Sequence, residues 1–285
     1  MPLAYEPQTY WDKRARKYAK IEDGLKAVCC IGADDYNRYM DFLQKKAIFS
    51  TVKMPTRSRV LDVGCGVGRI SFEFAARGIE VYGLDISKEM VEVAKAKSRD
   101  VEFLVMDSGR LGFRKNLFDL AIAVTVLQHV TKEETMRAAI QEMIRVVKPT
   151  GKVAIMEHIA RKEKPPVFHM AFRTKKQWVR LFERERAVLV QERAVDLAPF
   201  KRWVMSLGKV YLRVKGEISD GKLASHLIGE DEVLGRRGPT TRKAYEILMK
   251  IALTISRPFD LYLSRIQTFN NFAAQILLVF QKCHD

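Results

Sequence analysis

Three groups of residues in this sequence have the types and spacing to do chemistry. The first is the run Val60-Leu61-Asp62-Val63-Gly64-Cys65-Gly66-Val67-Gly68-Arg69. Glycines at the end of a strand let a ligand approach the backbone closely, because no Cβ intervenes. A following helix would offer unpaired N–H groups to a carboxylate or phosphate. The spacing is GxGxG, which is neither the GxGxxG of dinucleotide sites nor the GxxxxGK[ST] of a phosphate loop. The second group is a pair of carboxylates. Asp85 ends the run Val81-Tyr82-Gly83-Leu84, placed to accept hydrogen bonds from a ribose diol. Asp107 follows Phe103-Leu104-Val105-Met106, placed to meet an adenine amino group. The third is Thr125-Val126-Leu127-Gln128-His129, with His158 further on. An unperturbed imidazole titrates near pH 6.5, so His129 is the candidate general base.

These residues need a scaffold, and the apolar pattern supplies one. Arg59–Val63, Glu80–Leu84, Val101–Val105, Phe118–Val124 and Lys152–Glu157 read as short, apolar, buried strands. Between them lie helical stretches at Ile70–Ala76, Lys88–Ser98 and Glu133–Val147, with Ser87 as the expected N-cap of the second. Near-continuous apolar strands alternating with helices imply a parallel sheet covered on both faces. Two helices precede the sheet, at 9–20 and 35–53; Tyr10 and Trp11 on the first either close over the ligand or simply pack. After Glu157 come a helix at Lys175–Glu185, a strand at Ala187–Val195, a mostly helical stretch and a last strand at Gln275–Gln281.

The GxGxG turn together with both carboxylates favours S-adenosylmethionine over a nicotinamide cofactor. Residues 58–158 resemble a class I S-adenosylmethionine-dependent methyltransferase, of the methyltransferase-11 or ubiquinone-pathway-like group. The resemblance rests on five stretches in order: Val60–Arg69, Val81–Ser87, Glu102–Ser108, Leu117–Val130 and Glu142–His158. It implies a Rossmann-like α/β fold with a seven-stranded, mostly parallel sheet, helices on both faces and an antiparallel last strand. The chain adds a helical insertion. The resemblance also implies that Gly64, Gly66, Asp85 and Asp107 touch the cofactor, and that the turn after the fourth strand, beginning at Thr125, lines the methyl-transfer site. Ile86 and Ser108, beside the two carboxylates, complete the expected cofactor contacts. Asp62 either orients the glycine turn or meets the methionine amino group, and Gly68 serves helix packing. The expected organisation is an N-terminal helical segment (1–57), a methyltransferase core (58–196), a basic helical insertion for substrate recognition (197–274) and a final core strand (275–285).

Composition narrows the partners. The chain has 285 residues, 47% hydrophobic and 29% charged, as in a globular protein. Its four cysteines form no CxxC pair and its five histidines show no ligand spacing, so no metal is expected. No apolar run has the roughly 20 residues that span a bilayer, no leader-like segment opens the chain, and a cytoplasmic location is expected. The formal net charge is +16, of which +11 falls in residues 159–285. Arg173, Lys175, Lys176, Arg180, Arg184 and Arg186 cluster, followed by Lys201, Arg202, Lys209, Arg213 and Lys215, with Trp203 and Tyr211 interleaved. Cations bind phosphates and aromatics stack on unpaired bases, so RNA, ribosomal or transfer, methylated on a base nitrogen, is the expected substrate. The [DNS]-P-P-[YFW] motif usual for base amines is absent after the fourth strand. A small anionic substrate therefore competes: a metabolite, sugar or phosphorylated lipid carrier. A methyltransferase-like binding subunit without catalysis is the third reading.

Overall fold

The computed structural model describes residues 5–21, 24–28, 34–197, 239–264 and 273–283. One seven-stranded sheet organises them: β1 Arg59–Val63, β2 Glu80–Asp85, β3 Glu102–Val105, β4 Phe118–Val124, β5 Val147–His158, β6 Ala187–Ala194 and β7 Gln275–Lys282. Their order across the sheet is β3-β2-β1-β4-β5-β7-β6. The first five pair in parallel, and β7 runs antiparallel to both β5 and β6. The expected Rossmann-like sheet with an antiparallel last strand is thus present.

The helices are α1 Pro7–Tyr18, α2 Leu25–Val28, α3 Asp34–Thr51, α4 Ser71–Ala75, α5 Lys88–Lys97, α6 Glu133–Val146, α7 Lys175–Arg184 and α8 Pro239–Leu263. Two hydrophobic clusters sandwich the sheet. Side chains of α3, including Leu43 and Ile48, pack with Val60, Leu120 and Ile122 on one face. Met136, Ile140 and Met143 of α6 and Trp178 and Phe182 of α7 pack with Leu61, Ala121 and Ile155 on the other. Successive residues of β1 and β4 thus point to opposite, equally apolar faces, which is why these strands show no polar alternation. Ser87 caps α5 as expected, accepting from the Met90 N–H at 3.2 Å.

One boundary moves. The strand expected to open at Lys152 begins at Val147, directly after α6, despite Pro149. The pairing of β4 with β5 shifts register between Phe118 and Leu120. The Gln281 amide donates to the carbonyls of Pro149 (3.0 Å) and Gly151 (2.8 Å) across this irregular segment. A side chain from β7 therefore satisfies carbonyls that an irregular ladder leaves over. Of the anticipated insertion, α8 is the described part; Lys201, Arg202, Trp203, Lys209, Tyr211, Arg213 and Lys215 lie outside the described residues.

Candidate functional site

The strand order reverses between β1 and β4, and the carboxyl ends of β1, β2 and β4 meet there. Ligands of doubly wound sheets bind at such a switch point. A cavity of about 310 Å³ opens at it, in the range of small-molecule sites. Nine of the residues singled out from the sequence line this one cavity: Asp62, Gly64, Gly66, Asp85, Ile86, Asp107, Ser108, Thr125 and His129.

All three glycines of the turn are left-handed, with φ of 71° at Gly64, 55° at Gly66 and 84° at Gly68. A Cβ on Gly64 would collide with the Val126 side chain. One on Gly68 would lie 2.6 Å from Phe72 and 2.9 Å from Phe103, which makes that glycine a packing residue. Three N–H groups of the turn bond to the end of β2. Gly64 and Cys65 donate to the Leu84 carbonyl at 2.7 and 2.8 Å, and Gly66 donates to the Asp85 carboxylate at 2.9 Å. This stitching fixes Asp85.

Asp85 accepts from Gly66 N–H through Oδ2 and from Ser87 N–H through Oδ1, each at 2.9 Å. Each oxygen keeps acceptor capacity for a hydroxyl. Burial raises its pKa to about 6 against the opposing pull of those N–H groups. Asp62 is 2% exposed and accepts from Ser71 Oγ at 2.6 Å; burial raises it to about 6 as well. Its bond to the start of α4 supports the turn-orienting role. Asp107 is exposed at the cavity rim and accepts from Gly109 N–H at 2.7 Å in a tight turn.

α1 forms the roof. Asp12 accepts from Ser87 Oγ at 2.6 Å, tying α1 to the start of α5. Trp11 lines the cavity and sets its edge against the His129 ring, centroids 4.9 Å apart. Tyr10 stacks on His169 at 4.7 Å.

Beyond β4 the chain enters a strained turn. Thr125 has φ 57°, uncommon for a β-branched residue. A short 3-10 turn, Leu127–His129, follows. Sequence reading missed the residue that holds it. Glu157, 1% exposed at the end of β5, accepts from the N–H groups of Val126 (3.1 Å), Leu127 (2.8 Å) and Gln128 (3.2 Å). Burial pushes its carboxyl up to about 8, opposed by the three donors and by Arg173. The signal was a carboxylate inside the apolar run Val153–His158, which a buried strand tolerates only with dedicated partners.

His129 departs from the expectation of a base titrating near 6.5. Burial lowers its pKa to about 3, and His169 adds to the shift. Nδ1 lies 3.0 Å from the His169 carbonyl, so Nδ1 carries the proton. The Gln128 amide, 3.3 Å from Nε2, is then the donor to that nitrogen. His129 is a neutral, oriented wall residue at cellular pH. His158 lies in a smaller adjoining chamber, not in the main cavity.

Residues 61–155 match the model of a methyltransferase domain. The chain is 31% identical over 146 residues to a demethylmenaquinone methyltransferase of Renibacterium salmoninarum, covering 51% of this chain and 60% of that protein. It is 36% identical over 110 residues to a tRNA (carboxymethyluridine(34)-5-O)-methyltransferase of Arabidopsis thaliana, covering 39% of this chain and 26% of that one. The chain thus spans less than two thirds of either relative. Phosphoethanolamine N-methyltransferase 2 of Haemonchus contortus, solved with S-adenosyl-L-methionine, superposes with a TM-score of 0.54 at 16% identity, over 96% of this chain and 60% of that one. At that identity the likeness shows the shared fold.

Proposed function

We propose that this chain, which carries a methyltransferase domain, transfers the methyl group of S-adenosylmethionine to a nucleotide of RNA. The observation that carries the cofactor half is the Asp85 carboxylate, pinned by two backbone N–H groups beside a glycine turn that no Cβ could enter. That pairing fits an adenosine: a carboxylate for the ribose diol, with Asp107 and the backbone of Ser108 at the rim for the base. When bound, S-adenosylmethionine supplies an electrophilic methyl on a sulfonium sulfur. The protein's part is then alignment and exclusion of water, as expected for displacement at a carbon that needs little acid–base help. Thr125 and the turn held by Glu157 form the wall facing the methyl. His129, kept neutral by burial, shapes that wall.

The RNA half rests on the net +11 of residues 159–285 and on likeness to a tRNA methyltransferase. The likeness to a quinone-pathway enzyme favours a small acceptor as the second reading. Calorimetry should show S-adenosylmethionine binding that Asp85→Ala abolishes; wild-type affinity in that variant refutes the ribose assignment. Binding of RNA should weaken steeply with salt, because phosphate contacts release counterions. Mass spectrometry of nucleosides from a deletion strain should show one methylated nucleoside lost; an unchanged profile shifts the acceptor to a small molecule.

A further inference from the structure

Behind the cofactor cavity lies a second chamber of about 80 Å³, and the two share Trp11, Val28, Thr125 and His129 as a common wall. Its lining is unusual for a protein interior. Asn37 is 1% exposed, yet both its amide nitrogen and its carbonyl oxygen have no hydrogen-bond partner among the described residues. Gln44 is 3% exposed, and its carbonyl oxygen is likewise unpartnered. So is Nδ1 of His169, 6% exposed. Buried polar atoms are nearly always paired, so three such side chains around one cavity point to a guest that pairs them. Asn37, Met40 and Gln44 recur at helical spacing on α3 and all face this chamber.

Five polar side chains, Gln44, Gln275, His158, Gln128 and His129, form an oriented relay. Gln44 donates to Gln275 (2.9 Å), Gln275 to His158 Nε2 (2.9 Å), and His158 Nδ1 to Gln128 Oε1 (2.8 Å). Gln128 then donates to His129, and His129 to the His169 carbonyl. Each amide and imidazole is thereby fixed in one orientation. No carboxylate lines the chamber among the described residues. Its one guanidinium, Arg14, is turned onto the carbonyls of Ala27 (2.7 Å) and Lys26 (2.9 Å). His129 and His169 are both held neutral by burial.

We propose that this chamber is the acceptor subsite and takes an uncharged ring with a lactam edge, an N–H beside a C=O, as in uracil-type nucleobases. The inference rests on the methyltransferase reading and narrows its substrate. Asn37 presents one donor and one acceptor side by side, which is the complement of that edge. A desolvated lining with no carboxylate among the described residues disfavours an ammonium guest, and a carboxylate meets only Arg14, whose guanidinium is already held by two backbone carbonyls. The small volume excludes fused or multiply substituted rings, and the shared wall at Thr125 sets the guest beside the cofactor cavity. The ring can arrive as a free nucleoside or as an unstacked base of RNA.

The test uses the full chain saturated with S-adenosylhomocysteine, with ligand-observed NMR and calorimetry. The probes are uridine, benzoate and choline. Uridine should bind, with benzoate and choline at least tenfold weaker. Asn37→Leu should weaken uridine at least tenfold while leaving S-adenosylhomocysteine affinity within twofold, which also reports that the variant is folded. Asn37→Asp, of the same size, should do the same. Equal binding of benzoate or choline, or uridine binding indifferent to both Asn37 variants, overturns the proposal. Failure of S-adenosylhomocysteine itself to bind overturns the methyltransferase reading instead. A pentameric uridine RNA supplies the last arm. Tighter, salt-sensitive binding than uridine assigns the base to RNA, and equal affinity assigns it to the free nucleoside.

Discussion

Replacing Glu157 probes the site at the point where sheet and chemistry join. Its carboxylate is the partner of three consecutive backbone N–H groups in the turn after β4. Glu157→Ala orphans all three in a buried setting, at roughly 1–3 kcal/mol for each unpaired donor. Relaxation of the turn recovers part of the simple sum, so the expected loss is about 3–5 kcal/mol. Glu157→Gln is the sharper perturbation. Its single carbonyl can keep Val126 and Leu127, which share Oε1, but its amide nitrogen then faces the Gln128 N–H. One donor is opposed by another, and the expected loss is about 1–3 kcal/mol. Urea denaturation followed by circular dichroism measures both. The pH dependence carries a second check. Because the folded pKa is raised to about 8, the group binds a proton more readily folded than unfolded. Its contribution is therefore complete below the unfolded value near 4.3 and is lost as pH rises through about 8. The wild type should lose this contribution between about pH 4.3 and 8, by at most about 1.4 kcal/mol per pH unit, and level off above. Glu157→Gln lacks that loss, so the gap between the two proteins should narrow. A gap that widens with pH would mean that the three donors outweigh burial, and Glu157→Ala within 1 kcal/mol of wild type, as an order-of-magnitude bound, would refute the holding role altogether.

Gly64→Ala must place a Cβ at φ 71° against Val126. It should lower the melting temperature by the equivalent of about 2 kcal/mol or more, while Gly112→Ala, whose nearest neighbour is Met106 at 3.5 Å, should be near neutral; equal melting temperatures would remove the strain argument. Cofactor affinity and apo stability should respond to acid in opposite directions. Asp85, raised to about 6, must be ionised to accept from both ribose hydroxyls, so affinity should fall by up to about tenfold per pH unit below that value. The raised pKa values of Asp62 and Asp85 make the cofactor-free protein gain stability over the same range, because both groups take up protons more readily when folded. Calorimetry from pH 5 to 8 on wild type, Asp85→Asn and Asp62→Asn separates the two carboxylates; flat wild-type affinity would sink the assignment.

The parts of this molecule legible in the sequence are those where one local rule dominates. Buried parallel strands have no polar alternation, and Phe118–Val124 was bounded to the residue. Ser87 announced α5 through a capping interaction confined to four residues. The residues proposed to hold the cofactor could be picked out for a similar reason, since they lie at or just beyond the ends of strands whose direction the sheet fixes. What stayed hidden depends on pairings distant in sequence. Glu157 looks like the tail of a strand until β4 is placed beside β5 and its turn comes within reach. His129 looks like a base until His169, 40 residues on, and Trp11, from the N-terminal helix, enclose it. Asn37 and Gln44 occupy buried positions of α3 that pattern alone would give to apolar residues. Buried amides are costly without partners, and these two line the chamber proposed for the acceptor. On the proposed reading, the donor is encoded in strand ends that a sequence displays in order, and the acceptor in side chains from α3, the turn after β4, β5 and β7 that only the closed sheet brings together.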